Sequence, residues 1–183
     1  MSYCETSNGH PIHGPHHDDE YGRPVSKDAV LFERMALEIN QAGLSWLLIL
    51  KKREALFDAF EGFDLARVAA YGNLDISRLM GNAGIIRNRR KIDAVIENAR
   101  RLCVIKETHG GFKPWLDAHH PLTLPEWVKL MRKTFVFMGP EVVNEFMMST
   151  GYLPGAHDAD CPIAKTIAKL SPPWMCAAPE GGW

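Results

Sequence analysis

Three groups of residues in this chain have types and spacings suited to chemistry. The first is Glu38 with Trp46. From Ser26 to Phe60 the sequence reads SKDAVLFERMALEINQAGLSWLLILKKREALFDAF. Its apolar residues recur at helical spacing, with Leu31, Met35 and Ala42 on one stripe and Phe32, Ala36 and Ile39 beside it. Glu38 follows Leu31 by seven residues and lies almost directly above it, so a carboxylate sits in a stripe that faces the core. A buried carboxylate is costly unless it is paired, hydrogen-bonded or turned toward a polar pocket. On the helical pattern alone the more economical reading is a structural one, in which Glu38 ties down loop amides or a basic partner. The functional reading is a pocket acid that selects a cation or a polar edge. Trp46 taken singly reads as a core residue, but the tight corner before it holds the indole close to the acid.

The second group is LMGNAGIIRNRRKI. Two helices meet there at a glycine-bearing corner, and the second begins with basic residues. Free amides at a helix start bind phosphate, helped by the helix dipole. Gly81 and Gly84 permit close backbone approach, and Arg87, Arg89, Arg90 and Lys91 add charge. A plain helical hairpin with a solvated basic start fits the pattern equally well.

The third group lies at the two ends of the chain. Cys4 and His17 occur in an irregular N-terminal arm, and His157 with Cys161 forms an H-x-x-x-C pair in GAHDADCP. Cys and His are the ligands of a tetrahedral structural zinc, which would tie two loose ends together. His10, His13 and His16 are rival ligands, and surface histidines with unrelated thiols are the plain alternative. Four protein ligands leave no open position, so such a zinc is structural. A zinc hydrolase using His157, Asp158 and Asp160 around an open metal is a rival that four ligands would eliminate.

These groups are positioned by helices. Ser26 is expected to cap the helix carrying Glu38, with Asp28 in its first turn, Gly43 ending it and Ser45 capping the next. Asp64 and Asp75 are read as caps of two short helices, followed by a long helix with Ile85, Ile92, Val95, Ile96 and Ala99 inward. A break falls at HGGFKP, Thr123 to Glu126 reads as a capping box, and Gly139-Pro140 opens a last helix that Gly151 closes. The segment through Pro24 is expected to be an irregular arm, and the segment from Tyr152 a tail. No convincing series of alternating strands occurs, so the fold class is all-α.

The chain's 183 residues suit a single domain spanning 1–183, with a central lobe at about 45–110 and a second lobe from both ends. Its 46% hydrophobic share is that of an ordinary globular protein. No apolar run reaches membrane-spanning length, which argues against a membrane. The start MSYCETSNGHP is not a secretory signal, so a cytoplasmic protein without disulfides is expected. A net charge of −1 means that any nucleic-acid contact must use a local basic patch.

LEINQAGLSWLLILKKRE, NAGIIRNRRKI, HHDDEYG and the terminal Cys/His set together resemble the DNA-3-methyladenine glycosylase I family of the helix-hairpin-helix DNA glycosylase superfamily. The resemblance runs from Cys4 to Cys161. It implies a helix-hairpin-helix glycosylase fold and one structural Zn²⁺ on Cys4, His17, His157 and Cys161, joining the two terminal segments. It also implies a monomer acting on double-stranded DNA with alkylated bases, with phosphates at Gly81, Gly84, Arg87 and Lys91. The activity it implies is hydrolysis of the N-glycosidic bond of 3-methyladenine, flipped into a pocket of Glu38 and Trp46. Glu38 is then the catalytic acid, and His16, Tyr21 and Trp46 contact the base.

The sequence departs from the family where HHDDEYG puts His16 in place of a base-contacting Tyr. Cys4-Glu5-Thr6 lacks the usual aromatic residue, Glu20-Tyr21-Gly22 replaces Glu-Trp-Gly, and GPEVVNEFMMSTG is less aromatic. Histidine titrates near ~6.5 when unperturbed, so a charged His16 is expected to weaken excision as the pH falls. A damaged-DNA-binding protein without excision is the alternative reading.

Overall fold

The computed structural model describes residues 2–183. Among them there are helices and turns and no strand, in the order α1 (Tyr3–Ser7), α2 (His13–Asp19), α3 (Asp28–Gln41), α4 (Trp46–Ala59), a 3₁₀ turn (Glu61–Phe63), α5 (Leu65–Ala69), α6 (Asn73–Gly81), α7 (Arg89–His109), α8 (Phe112–His119), α9 (Leu124–Thr134), α10 (Pro140–Ser149), α11 (Pro162–Ala168) and α12 (Pro173–Cys176). The all-α expectation holds.

α3 is the central element. It packs against α4, α7, α8, α10 and the 3₁₀ turn, and every residue from Leu31 to Asn40 is buried. A helix buried all round must neutralise its charges internally. Arg34 pairs with Glu20 at 2.6 Å, and Glu33 accepts from Arg53 at 2.7 Å, while Arg53 also reaches Glu20 at 2.6 Å. This network fastens α4 and the segment after α2 to one side of α3. Glu38 is outside it.

The corner after α3 forms as the residues dictate. Gly43 has φ +80°, which a β-carbon would strain, and Ser45 Oγ accepts from the Leu48 amide at 3.3 Å. Lys91 of α7 closes the corner from behind. Its Nζ donates to the carbonyls of Asn40 and Ala42, both at 2.7 Å. These carbonyls end α3, where the helix dipole favours a cation.

Several local expectations are corrected. Ser26 does not cap α3, whose first turn follows Lys27 without a side-chain bond. Asp28 stands in the first turn of α3 as expected, but its carboxylate also caps α8, accepting from the Phe112 amide at 2.8 Å and the Lys113 amide at 3.0 Å. Gly111 makes room for that carboxylate, since a β-carbon there would lie 2.6 Å from Asp28 Oδ2. Asp75 is not the residue before a helix. It sits in the first turn of α6 and accepts from the Gly72 amide at 3.0 Å. The arm through Pro24 contains α1 and α2, with Ser2 and Glu5 forming a capping box, and the tail contains α11 and α12. Asp64 caps α5, Thr123 and Glu126 form a capping box, and Gly139 and Gly151 bound α10 as expected.

Candidate active site and metal centre

A pocket of about 530 Å³ opens where the arm meets α3, α4 and α10. Tyr3 from α1 lines it, with Tyr21, Glu38 and Gln41, Trp46 at the start of α4, and Glu141 and Glu145 on α10. Glu38 is only 5% exposed, and its carboxylate makes no hydrogen bond within the described residues. Burial first, and then the nearby Glu145 carboxylate, push it up to about 8 against the opposing pull of Arg34. Structural carboxylates are tied down, as Glu20 and Glu33 are here. An untied acid beside an indole is built for something that enters.

Tyr21 is placed at the pocket as expected, and its hydroxyl donates to Glu145 Oε2 at 2.9 Å. His16 is not. It is 3% exposed and stands behind the lining, with Nδ1 3.0 Å from Tyr3 Oη and its ring 5.1 Å from that of Trp46. Burial and then the Arg34 guanidinium drive it down to about 3. His16 is therefore neutral at working pH, and the expected acid-dependent repulsion of a cationic base does not arise. Its role is to back Tyr3 and Trp46. Tyr3, one residue before Cys4, brings an aromatic ring to the pocket lining.

Sequence reasoning missed Tyr3, Glu141 and Glu145. The Ser2–Glu5 box was a signal that Tyr3 begins a helical turn. In PEVVNEF, Glu141 and Glu145 share a face by i, i+4 spacing, turned away from Val143 in the core, with Val142 and Phe146 on the flank between.

At the other side of the arm, one ligand atom from each of Cys4, His17, His157 and Cys161 lies within 4.8 Å of all the others. His157 Nδ1 is 3.1 Å from His17 Nε2, 3.8 Å from Cys4 Sγ and 3.7 Å from Cys161 Sγ, and Cys161 Sγ is 3.8 Å from His17 Nε2. Bond lengths of about 2.1 Å to nitrogen and 2.3 Å to sulfur in a tetrahedron put ligand atoms roughly 3.3–3.8 Å apart. The donor set fits a metal ion. The outer nitrogens are held as well: His157 Nε2 meets the Tyr21 carbonyl at 2.8 Å, and His17 Nδ1 meets Asp18 Oδ1 at 2.7 Å. Both bonds turn the other ring nitrogen inward. Asp158 and Asp160, on which the open-metal hydrolase relies, are not part of this cluster.

The glycine-bearing corner lies between α6 and α7. Arg87 and Arg90 are exposed there and make no ion pair among the described residues, whereas Arg89 pairs with Asp93 at 2.8 Å. Gly84 is more internal than expected. Its amide donates to Asn82 Oδ1 at 2.8 Å, and a β-carbon would lie 3.1 Å from Ala55. A β-carbon at Gly81 would meet nothing. Lys91 contradicts its expected part as a phosphate contact. It is 5% exposed, because α7's inner stripe of Lys91, Val95, Asn98 and Leu102 turns it toward the α3 corner. Lys91→Met is accordingly expected to destabilise the fold by about 2–3 kcal/mol through two unpaired carbonyls. Denaturant unfolding checks this; a stability equal to wild type would show that the clamp is dispensable.

Residues 6–124 match a family profile described as methyladenine glycosylase. The chain is 35% identical over 170 residues to a DNA-3-methyladenine glycosylase of Haemophilus influenzae, covering 82% of this chain and 91% of the relative. The figures are the same for DNA-3-methyladenine glycosylase 1 of Escherichia coli. Among solved structures, a variant of 3-methyladenine DNA glycosylase I in complex with 3-methyladenine superposes with a TM-score of 0.78 at 31% identity, covering 89% of this chain and 97% of that one. The Staphylococcus aureus 3-methyladenine DNA glycosylase I gives 0.77 at 31% identity, covering 89% and 96%.

Proposed function

The chain belongs to the methyladenine glycosylase family, and we propose that Glu38 and Trp46 form the pocket in which its substrate base is held. The protein is a DNA-3-methyladenine glycosylase, a hydrolase that removes 3-methyladenine from alkylated DNA in DNA repair. The observation that carries the pocket assignment is the buried, unbonded carboxylate of Glu38 beside Trp46.

Methylation at N3 gives adenine a positive charge and a weak glycosidic bond, because the base leaves neutral. The protein's main task is to extrude the base and recognise it. Ionised Glu38 accepts hydrogen bonds from the adenine edge and attracts the cation. Trp46 and Tyr3 offer ring faces or edges to an electron-poor base. Water then takes the place of the base at the sugar carbon. Purified protein incubated with methylated DNA should release 3-methyladenine, identified by chromatography. Retention of every methylated base would overturn the reading. No feature of the pocket favours binding without excision.

We assign a structural Zn²⁺ to Cys4, His17, His157 and Cys161, since thiolate and imidazole donors in a closed tetrahedral set suit that ion. When bound, the ion fixes α1 and α2 against the loop before α11. These residues keep Tyr3 and Tyr21 at the pocket wall and take no part in bond cleavage.

The α6–α7 unit is read as the helix-hairpin-helix of a DNA-facing lobe at about 45–110, acting on double-stranded DNA as a monomer. Arg87 and Arg90 are its free cations, and Lys91 supports the corner from inside. Arg87→Ala should weaken binding to all sequences alike and reduce the slope of log affinity against log salt by about one. An unchanged slope in a fluorescence titration would remove Arg87 from the interface. Among the described residues no helix is long and apolar enough to cross a membrane.

A further inference from the structure

We propose that Glu145 is a specificity-determining residue: held by Tyr21, its carboxylate gives the base pocket a second acidic group coupled to Glu38, which tunes the pocket to purines whose alkylation leaves a positive charge. The inference rests on the glycosylase reading above. α3 and α10 pack against each other, Glu38 on one and Glu145 on the other line the same cavity, and the Tyr21 hydroxyl fixes Glu145 at 2.9 Å. Glu38 is buried with no hydrogen-bond partner of its own, so nothing inside the protein fully neutralises it.

Two carboxylates in one low-dielectric pocket cannot both ionise freely. Burial raises Glu145 as well as Glu38, and the negative charge of Glu145 adds to the rise at Glu38. The other groups around the pair do not remove this coupling. Arg34 attracts Glu38 but is bound to Glu20. Tyr3 and Tyr21 are pushed above the usual phenol range and stay neutral. Glu141 adds negative charge near Glu145, and Arg132 of α9 lines the adjoining groove together with Glu141. Among the other elements packed on α3, Arg53 is held by Glu20 and Glu33, Lys91 by two carbonyls, Lys113 by Asp117 and Glu61 by Arg67.

The consequence is a cycle in charge. A cationic base entering the pocket stabilises both carboxylates as anions, and the pair releases a proton to solvent. When the glycosidic bond breaks, the bond's electron pair stays with the base, which becomes neutral. The two acids then repel again, a proton returns to the pair, and the neutral product is held less tightly than the substrate. A single acid would supply attraction; the coupled second acid sharpens the preference for cation over neutral base.

The test is the titration of the Glu38 carboxyl by carbon-13 NMR, assigned by its loss in Glu38→Gln, together with single-turnover release of 3-methyladenine across pH. Glu145→Gln keeps an acceptor for Tyr21 and removes the charge. It should lower the Glu38 midpoint, and the pH at which excision rises, by about one pH unit. Glu145→Asp keeps the charge and should retain a midpoint close to wild type. Equal midpoints in wild type and Glu145→Gln would overturn the proposal, as would a midpoint in Glu145→Asp that follows Glu145→Gln. A wild type that releases no base would instead overturn the glycosylase reading and the specificity role with it, while the midpoint difference would still report the coupling.

Discussion

Glu38→Gln is expected to slow 3-methyladenine release by roughly 10²–10³-fold, the effect of removing one preorganised charge from a dry site. The substitution keeps the shape of the side chain and replaces a negative acceptor by a neutral amide. Because the acid stands at about 8, the wild-type rate at subsaturating DNA should rise with pH as Glu38 ionises. That limb should vanish in the variant. Single-turnover release between mildly acidic and mildly alkaline pH makes the comparison. Equal rates and equal profiles in the two proteins would return Glu38 to a structural role.

Stability should move the other way. The Glu38 carboxyl is raised from an ordinary 4.5 to about 8, so between those values the folded state holds a proton that the unfolded chain has lost. Folding stability therefore falls as pH rises through that window, and the loss is complete above about 8. Near pH 7 the penalty is on the order of 3 kcal/mol, from roughly 1.4 kcal/mol per pKa unit. Glu38→Gln escapes it and should melt at a higher temperature than wild type while excising less. Lower activity together with a lower melting temperature would point to damaged packing instead.

What could be read from the sequence was mostly local. Gly43, Ser45, Asp64 and the Thr123–Glu126 box end or start helices through bonds within a few residues, and each stands where the pattern put it. Asp28 was legible as a first-turn acid but not as the cap of α8, because that bond joins residues 84 apart. The basic residues at and just before the start of α7 read as one cluster, yet they part ways in the fold. Lys91 shares the stripe of Val95 and Leu102 and turns inward, while Arg87 and Arg90 remain free. His16 was visible as a departure from its family, but its burial and neutrality depend on Tyr3, Trp46 and Arg34 closing around it. Glu145 stayed hidden because a single acid on an amphipathic helix reads as solvated. Only the packing of α10 on α3 puts it beside Glu38. The metal set was visible as residue types at both ends, and its convergence required both ends to fold back on Tyr21.

Cys161→Ala is expected to reduce bound metal from one ion per chain to almost none. Cys161 precedes the first turn of α11 and brings the third and fourth ligands together with His157, while Cys4 and His17 come from α1 and α2. With three ligands left, the two imidazoles and one thiol lose the closed tetrahedron that makes such sites tight, and metal affinity is folding free energy for the segments it joins. The loss should be regional. α3, α4, α7 and α10 share a continuous apolar core that does not depend on the metal, so amides there should keep their hydrogen-exchange protection. Amides in residues 2–22 and 156–168 should exchange faster by roughly tenfold or more, each tenfold being about 1.4 kcal/mol of lost local stability. Excision should fall too, since Tyr3 and Tyr21 line the pocket from the loosened side. Elemental analysis gives the metal content and exchange mass spectrometry gives the regional protection. A Cys161→Ala protein with full metal content would remove Cys161 from the ligand set; one without metal but with an unchanged exchange pattern would show that α1 and α2 are held by packing alone.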